Sequence, residues 1–109
     1  MSILTPTSDA NFATDTATGI TLVDFWAEWC GPCRMMLPRL EALQTKLGTT
    51  AKILKMDVDA NQQIASSFRI MSIPTMILFK DGQPVEKFVG AQDAALLEQA
   101  IMKHVAPAA

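Results

Sequence analysis

The chain holds two cysteines, and they stand three apart in Trp29-Cys30-Gly31-Pro32-Cys33. Ahead of them runs Ile20-Thr21-Leu22-Val23-Asp24-Phe25-Trp26, which reads as a strand buried on both faces. Behind them Met36, Leu40, Leu43 and Leu47 recur at steps of four, three and four, the stripe of an amphipathic helix. With Cys30 as the N-cap of that helix, Pro32 falls in the first turn, where its missing N–H costs nothing. Residues three apart on a helix are neighbours, with Cα atoms about 5 Å apart, inside the window for a disulfide. The pair can then open and close with little backbone movement. Free N–H groups and the positive end of the helix dipole favour a thiolate at Cys30, which becomes the attacking sulfur. Cys33, one turn deeper, suits the resolving role.

Blander readings compete. A zinc site needs about four ligands, whereas the chain offers two cysteines and the distant His104. No metal is expected. Two unconnected core thiols are a further reading, and the junction between strand and helix favours a redox-active C-x-x-C over both. A disulfide closing so small a loop restricts the unfolded chain very little, so its use is not as a staple.

Asp24 is out of place in its strand, since an ionised carboxylate buried without a partner costs several kcal/mol. Lys55 interrupts a second apolar strand in the same manner and is the expected partner. One reading is a buried Asp24–Lys55 ion pair that fixes strand register. The favoured reading is that burial raises the pKa of Asp24, so that it takes and returns a proton near neutral pH. Its natural client is Cys33, which must lose a proton before it attacks. The two readings are compatible.

The surrounding elements form an alternating pattern, hence an α/β sheet with helices packed on it. Ile3-Leu4 is expected as a short first strand, and Ser8 to Phe12 as a short helix capped by Ser8. Strands follow at 20–26, 51–58, 75–79 and 85–89, with a D-G turn at Lys80-Asp81-Gly82-Gln83. The helix after the cysteines should end at Gly48 and kink at Pro38, which cannot donate to the carbonyl of Arg34. A shorter helix spans 61–68. The last helix, capped near Asp93, carries Ala94, Leu97, Ile101 and Val105 on one face, and 106–109 is a frayed tail.

At 109 residues the chain is expected to be one domain with a core of its own. Its 50% hydrophobic and 18% charged residues are a globular balance, and a net charge of −2 without a basic run argues against nucleic acid or an anionic membrane as partner. No stretch is long and apolar enough to span a bilayer, and Met1-Ser2-Ile3-Leu4-Thr5-Pro6 lacks the features of a signal peptide, so a cytoplasmic location is expected.

With these residues in view, the chain from about Phe12 to Val105 resembles the thioredoxin family. The resemblance rests on V-D-F-W-A-E-W-C-G-P-C, Pro38, K-M-D-V-D at 55–59, S-I-P-T at 72–75, F-K-D-G at 79–82 and V-G-A at 89–91. It implies a thioredoxin fold, a central five-stranded mixed β-sheet flanked by four helices. It implies Cys30 as nucleophile, Cys33 as resolving thiol, joined as a Cys30–Cys33 disulfide when oxidised, Asp24 as the buried proton-transfer acid and Lys55 as its neighbour. Pro74 matches the family's cis-proline facing the disulfide, while Trp29, Ile73, Gly90 and Ala91 match the rim that grips an extended substrate, with Ile73 pairing in strand fashion.

Gly31 and Pro32 resemble the reducing members; relatives that oxidise or isomerise usually carry a His there. Met71-Ser72 departs from the pattern in a loop that helps choose partners. The resemblance further implies a monomer that reduces protein disulfides without a bound cofactor. It would be recharged by a separate thioredoxin reductase, with ribonucleotide reductase, peroxiredoxins and methionine sulfoxide reductases as client types. A non-catalytic interaction or chaperone module and a disulfide oxidase or isomerase are the rival readings.

Overall fold

A computed structural model describes residues 3–105. The expected tail at 106–109 lies outside the described residues. The elements are β1 (Thr5–Pro6), α1 (Phe12–Asp15), β2 (Ile20–Trp26), α2 (Gly31–Leu47), β3 (Lys52–Asp57), α3 (Gln62–Ser67), β4 (Thr75–Lys80), β5 (Gln83–Val89) and α4 (Ala94–His104). The five strands form one mixed sheet in the order β1-β3-β2-β4-β5. Strand β2 runs parallel to β3 and antiparallel to β4, so it is the central strand, and all of its residues but Trp26 are buried.

Alternation along β2 divides the interior in two. Ile20 and Leu22 point to one face, where they meet Met36, Leu40 and Leu43 of α2 and Leu97 and Ile101 of α4. Val23 and Phe25 point to the other, where Phe12 and Phe79 lie, with Phe68 packed against them. The same period of two puts Asp24 on the α2 face. The seam between β2 and the cysteine-bearing helix therefore contains the acid.

Two expected elements are displaced. The first strand is Thr5–Pro6 rather than Ile3-Leu4: Leu4 is buried in the α2 core, and the register with β3 runs through Thr5↔Leu54 and Pro6↔Lys55. The first helix starts at Phe12, in the Thr-rich stretch of poor propensity. Ser8 caps the turn before it, taking the Asn11 N–H on its side chain at 3.2 Å and the Phe12 N–H on its carbonyl at 2.8 Å. Packing overrides propensity here, because the Phe12 ring lies 5.6 Å from Phe68 and 5.3 Å from Phe79.

The remaining elements lie where the sequence puts them to within two residues. The D-G turn has positive φ at both central residues, 49° at Asp81 and 84° at Gly82, and joins Lys80 directly to Gln83. Gly48 closes α2 with a φ of 57°, and the helix is continuous through Pro38. Pro84 sits on the edge strand next to a register shift, where a missing donor is tolerated.

One capping arrangement has no signature in the local sequence. Asp9 accepts the N–H groups of Gln63 at 3.1 Å and Ile64 at 2.9 Å, while its own N–H donates to the Asn61 side chain at 3.0 Å. The start of α3 is thus capped from the other end of the chain. Replacing Asp9 by Ala should lower stability by about 1 kcal/mol, the ordinary worth of a cap, read from urea unfolding midpoints at unchanged slope.

Candidate active site

The N-terminus of α2 emerges from β2 through a short turn in which the Cys30 N–H donates to the Ala27 carbonyl at 3.1 Å. Cys30 is the N-cap, with extended backbone (φ −88°, ψ 109°), and Gly31 and Pro32 open the helix. The Cys33 N–H donates to Cys30 Sγ at 3.2 Å, so a group that would stabilise a thiolate already faces that sulfur. The two residues are joined as a disulfide with Cα atoms 5.3 Å apart, as the helical spacing predicts. Cys30 retains 5% exposure and Cys33 none, so of the two sulfurs only that of Cys30 reaches the surface.

Asp24 is fully buried, and neither carboxylate oxygen has a hydrogen-bond partner among the described residues. Burial raises its pKa from 3.8 to about 7, against the opposing pull of the Lys55 charge. Lys55 is its register mate across β2 and β3. Contact pairing does not occur: no salt bridge of at most 4.0 Å links the two among the described residues, and the Lys55 ammonium lies 5.2 Å from the centroid of the Trp26 ring. The expected ion pair is therefore a longer-range field. Lys55 is only half-buried, and stacking on the indole lets its ammonium stay near water instead of entering the dry seam.

Around the disulfide lies an apolar rim. The Ile73–Pro74 bond is cis, and the Ile73 carbonyl oxygen lies 3.8 Å from Cys30 Sγ. Trp29 is 70% exposed, its indole N–H held by Asp59 at 2.7 Å. Trp29, Val58, Ile70, Met71 and Ile73 line a groove of about 330 Å³ beside the cysteines. Gly90 joins the same face, since its N–H donates to the Pro74 carbonyl at 2.8 Å, and the exposed Ala91 follows it. Of the adjacent methionines, Met36 is buried whereas Met35 is 62% exposed, next to Pro32 on the rim. Asp59 was not singled out as a site residue: it closes the K-M-D-V-D motif, but nothing in that motif says that its carboxylate meets the Trp29 indole thirty residues away.

Residues 3–103 match the sequence profile described as Thioredoxin. The chain belongs to the thioredoxin family. It is 51% identical over 98 residues to a thioredoxin of Staphylococcus saprophyticus, covering 90% of this chain and 94% of that one. A thioredoxin of Staphylococcus aureus is 50% identical over the same length and coverage. Among solved structures, a mutant thioredoxin of Halobacterium salinarum NRC-1 superimposes with a TM-score of 0.80 at 36% identity, covering 97% of this chain and 91% of that one. A chain solved in work on the thiol-resolving mechanism of a yeast mitochondrial 1-Cys peroxiredoxin gives 0.84 at 32% identity, covering 93% and 95%. The five-stranded mixed sheet with four helices is the thioredoxin fold. With its cysteine pair at disulfide distance, this family member is a thiol–disulfide oxidoreductase that reduces protein disulfides by dithiol–disulfide exchange through Cys30 and Cys33. Among the described residues no helix is long and apolar enough to cross a membrane.

Proposed function

We propose that reduction proceeds in two displacements with a fixed division of labour. The Cys30 thiolate attacks one sulfur of a client disulfide, forming a mixed disulfide and expelling the client's other sulfur as a thiolate. Asp24 then accepts the proton of Cys33, and the Cys33 thiolate attacks Cys30 Sγ. The second client thiolate leaves, and the two electrons have passed from the Cys30–Cys33 dithiol to the client. The observation that carries this reading is the asymmetry of the pair: a marginally exposed Cys30 facing an N–H donor, a sealed Cys33, and a buried acid on the same face of the sheet.

The rim supplies binding. An extended client segment lies along the Ile73 backbone in strand fashion, with Trp29, Gly90 and Ala91 flanking it and Pro74 keeping the carbonyl of Ile73 turned to the sulfur. Lys55 sets the field at Asp24 through its charge. A separate thioredoxin reductase, a flavin enzyme drawing on NADPH, returns the electrons, and the protein works as a cytoplasmic monomer that needs no metal or bound cofactor of its own. Clients are proteins with exposed, strained or catalytic disulfides, of the ribonucleotide reductase, peroxiredoxin and methionine sulfoxide reductase types. The 1-Cys peroxiredoxin work associated with one structural relative supports the second of these.

The direct test equilibrates the Cys30–Cys33 couple in defined thiol–disulfide buffers. A reduction potential well below the cytosolic glutathione poise is expected, which makes the dithiol an electron donor. A potential near the oxidising end would overturn the reading in favour of an oxidase or isomerase. Failure to cycle would leave only an interaction module.

A further inference from the structure

The loop that carries Gly90 and Ala91 is fastened to the cysteine-bearing helix by a group of contacts outside the sulfur chemistry. Arg39 Nη1 donates to the Gln92 carbonyl at 3.0 Å and lies 3.8 Å from the Met36 sulfur. The Gln92 N–H donates to that same sulfur at 3.4 Å. Both backbone polar groups of Gln92 are thus bound by residues one turn apart on α2, and the Gln92 side chain folds back to donate to the carbonyls of Val89 at 3.2 Å and Gly90 at 3.4 Å. Arg39 takes part in no salt bridge among the described residues. Its guanidinium, half-buried, is committed to one loop carbonyl, an assignment stronger than a neutral hydrogen bond.

Met36 and Arg39 follow Cys33 at successive steps of three along one helix. Fastening residue 92 to them fixes the distance between the rim at 90–91 and the sulfurs at the head of that helix. We infer that Arg39, with the Met36 sulfur, is a positioning residue that sets the register of a protein client against Cys30 and so favours extended polypeptide disulfides over small ones. This inference rests on the reading of Gly90 and Ala91 as a client-gripping rim. A small aromatic disulfide needs only access to Cys30 and gains nothing from the loop.

The experiment compares two substrates, the disulfides of insulin and dithiobis-nitrobenzoate, for four variants. Arg39→Met keeps the stem and removes the donors; Arg39→Lys restores one donor to the Gln92 carbonyl; Met36→Leu keeps the volume and removes the sulfur acceptor; Ala91→Asp perturbs the rim itself. Arg39→Met should raise KM for insulin about tenfold at nearly constant kcat, in line with the loss of one charge-assisted bond. The small disulfide should be reduced at the wild-type rate, and Arg39→Lys should recover most of the loss. Met36→Leu should shift KM in the same direction by less, and keeps the test open if Arg39→Met folds poorly. If Ala91→Asp raises KM for insulin while Arg39→Met and Met36→Leu do not, the inference fails and the rim reading stands. Equal losses on both substrates in Arg39→Met also overturn it, since that marks a general structural defect. If Ala91→Asp leaves insulin reduction untouched, the rim reading fails and takes the inference with it.

Discussion

Cys33→Ser is expected to seize a client and not let it go. The nucleophile, its N-cap position and the N–H facing its sulfur all remain in that variant, so the first displacement proceeds. The second cannot, because a serine hydroxyl does not attack a disulfide at neutral pH. Turnover of a protein disulfide should fall on the order of a thousandfold or more, the scale on which removal of a covalent participant acts. A client–protein adduct held by one disulfide at Cys30 should accumulate, visible as a mass shift that disappears on reduction. Cys30→Ser should lose turnover to the same degree and accumulate nothing, because Cys33 has no exposed surface from which to attack. Adducts in both variants would mean that burial does not order the two sulfurs, and the division of labour would have to be abandoned. Neither substitution should disturb folding greatly, since a disulfide across a three-residue separation closes too small a loop to stabilise the chain much.

The site chemistry was legible in the sequence where it depends on local geometry. The N-cap role of Cys30, the place of Pro32 in the first turn and the Cα separation of the pair all follow from helix geometry and three residues of spacing. Strand periodicity likewise marks Asp24 as buried, and an acid in that setting announces itself by type alone. What failed were inferences that required knowing which side chain crosses to which element. Lys55 and Asp24 are register mates, yet the sequence carries no indication that the ammonium leaves for the face of Trp26. The first strand was misplaced by two residues because apolar Ile3-Leu4 looks more strand-like than Thr5–Pro6. The register with β3 runs through Thr5 and Pro6, and Leu4 is buried in the core. Asp9 on α3, Asp59 on Trp29 and Arg39 on Gln92 each bridge at least thirty residues with single polar groups. No period or spacing in the sequence tells which two groups meet in such contacts, so only the fold brings them into view.

Asp24→Asn separates the two consequences of burying an acid. With a folded-state pKa of about 7 against an ordinary 3.8, the native protein holds a proton there that the unfolded chain releases. The folded pKa is the raised one, so the stability associated with the protonated acid is complete below about pH 4 and is lost as pH rises through 7. The gap between the two values corresponds to about 4 kcal/mol in all, and about 3 kcal/mol of it falls between pH 5 and pH 9. Asparagine is neutral throughout and leaves a similar polar group in the same hole. Oxidised Asp24→Asn, in which no thiol titrates, should therefore gain about 3 kcal/mol relative to wild type between pH 5 and pH 9 in urea unfolding. A difference that does not change with pH would mean that the acid is not held protonated by burial. The same variant should be slower at its chemistry where it is more stable. Release of the mixed disulfide at pH 7 should slow by roughly ten- to a hundredfold, the ordinary reach of a positioned general base. The deficit should shrink as the solution is made strongly alkaline, because hydroxide then competes with Asp24 as the base. If release keeps its wild-type rate and pH profile, the acid serves only the sheet. If stability rises with pH relative to wild type and release slows, the unpartnered carboxylate is an expense of folding retained for the second sulfur.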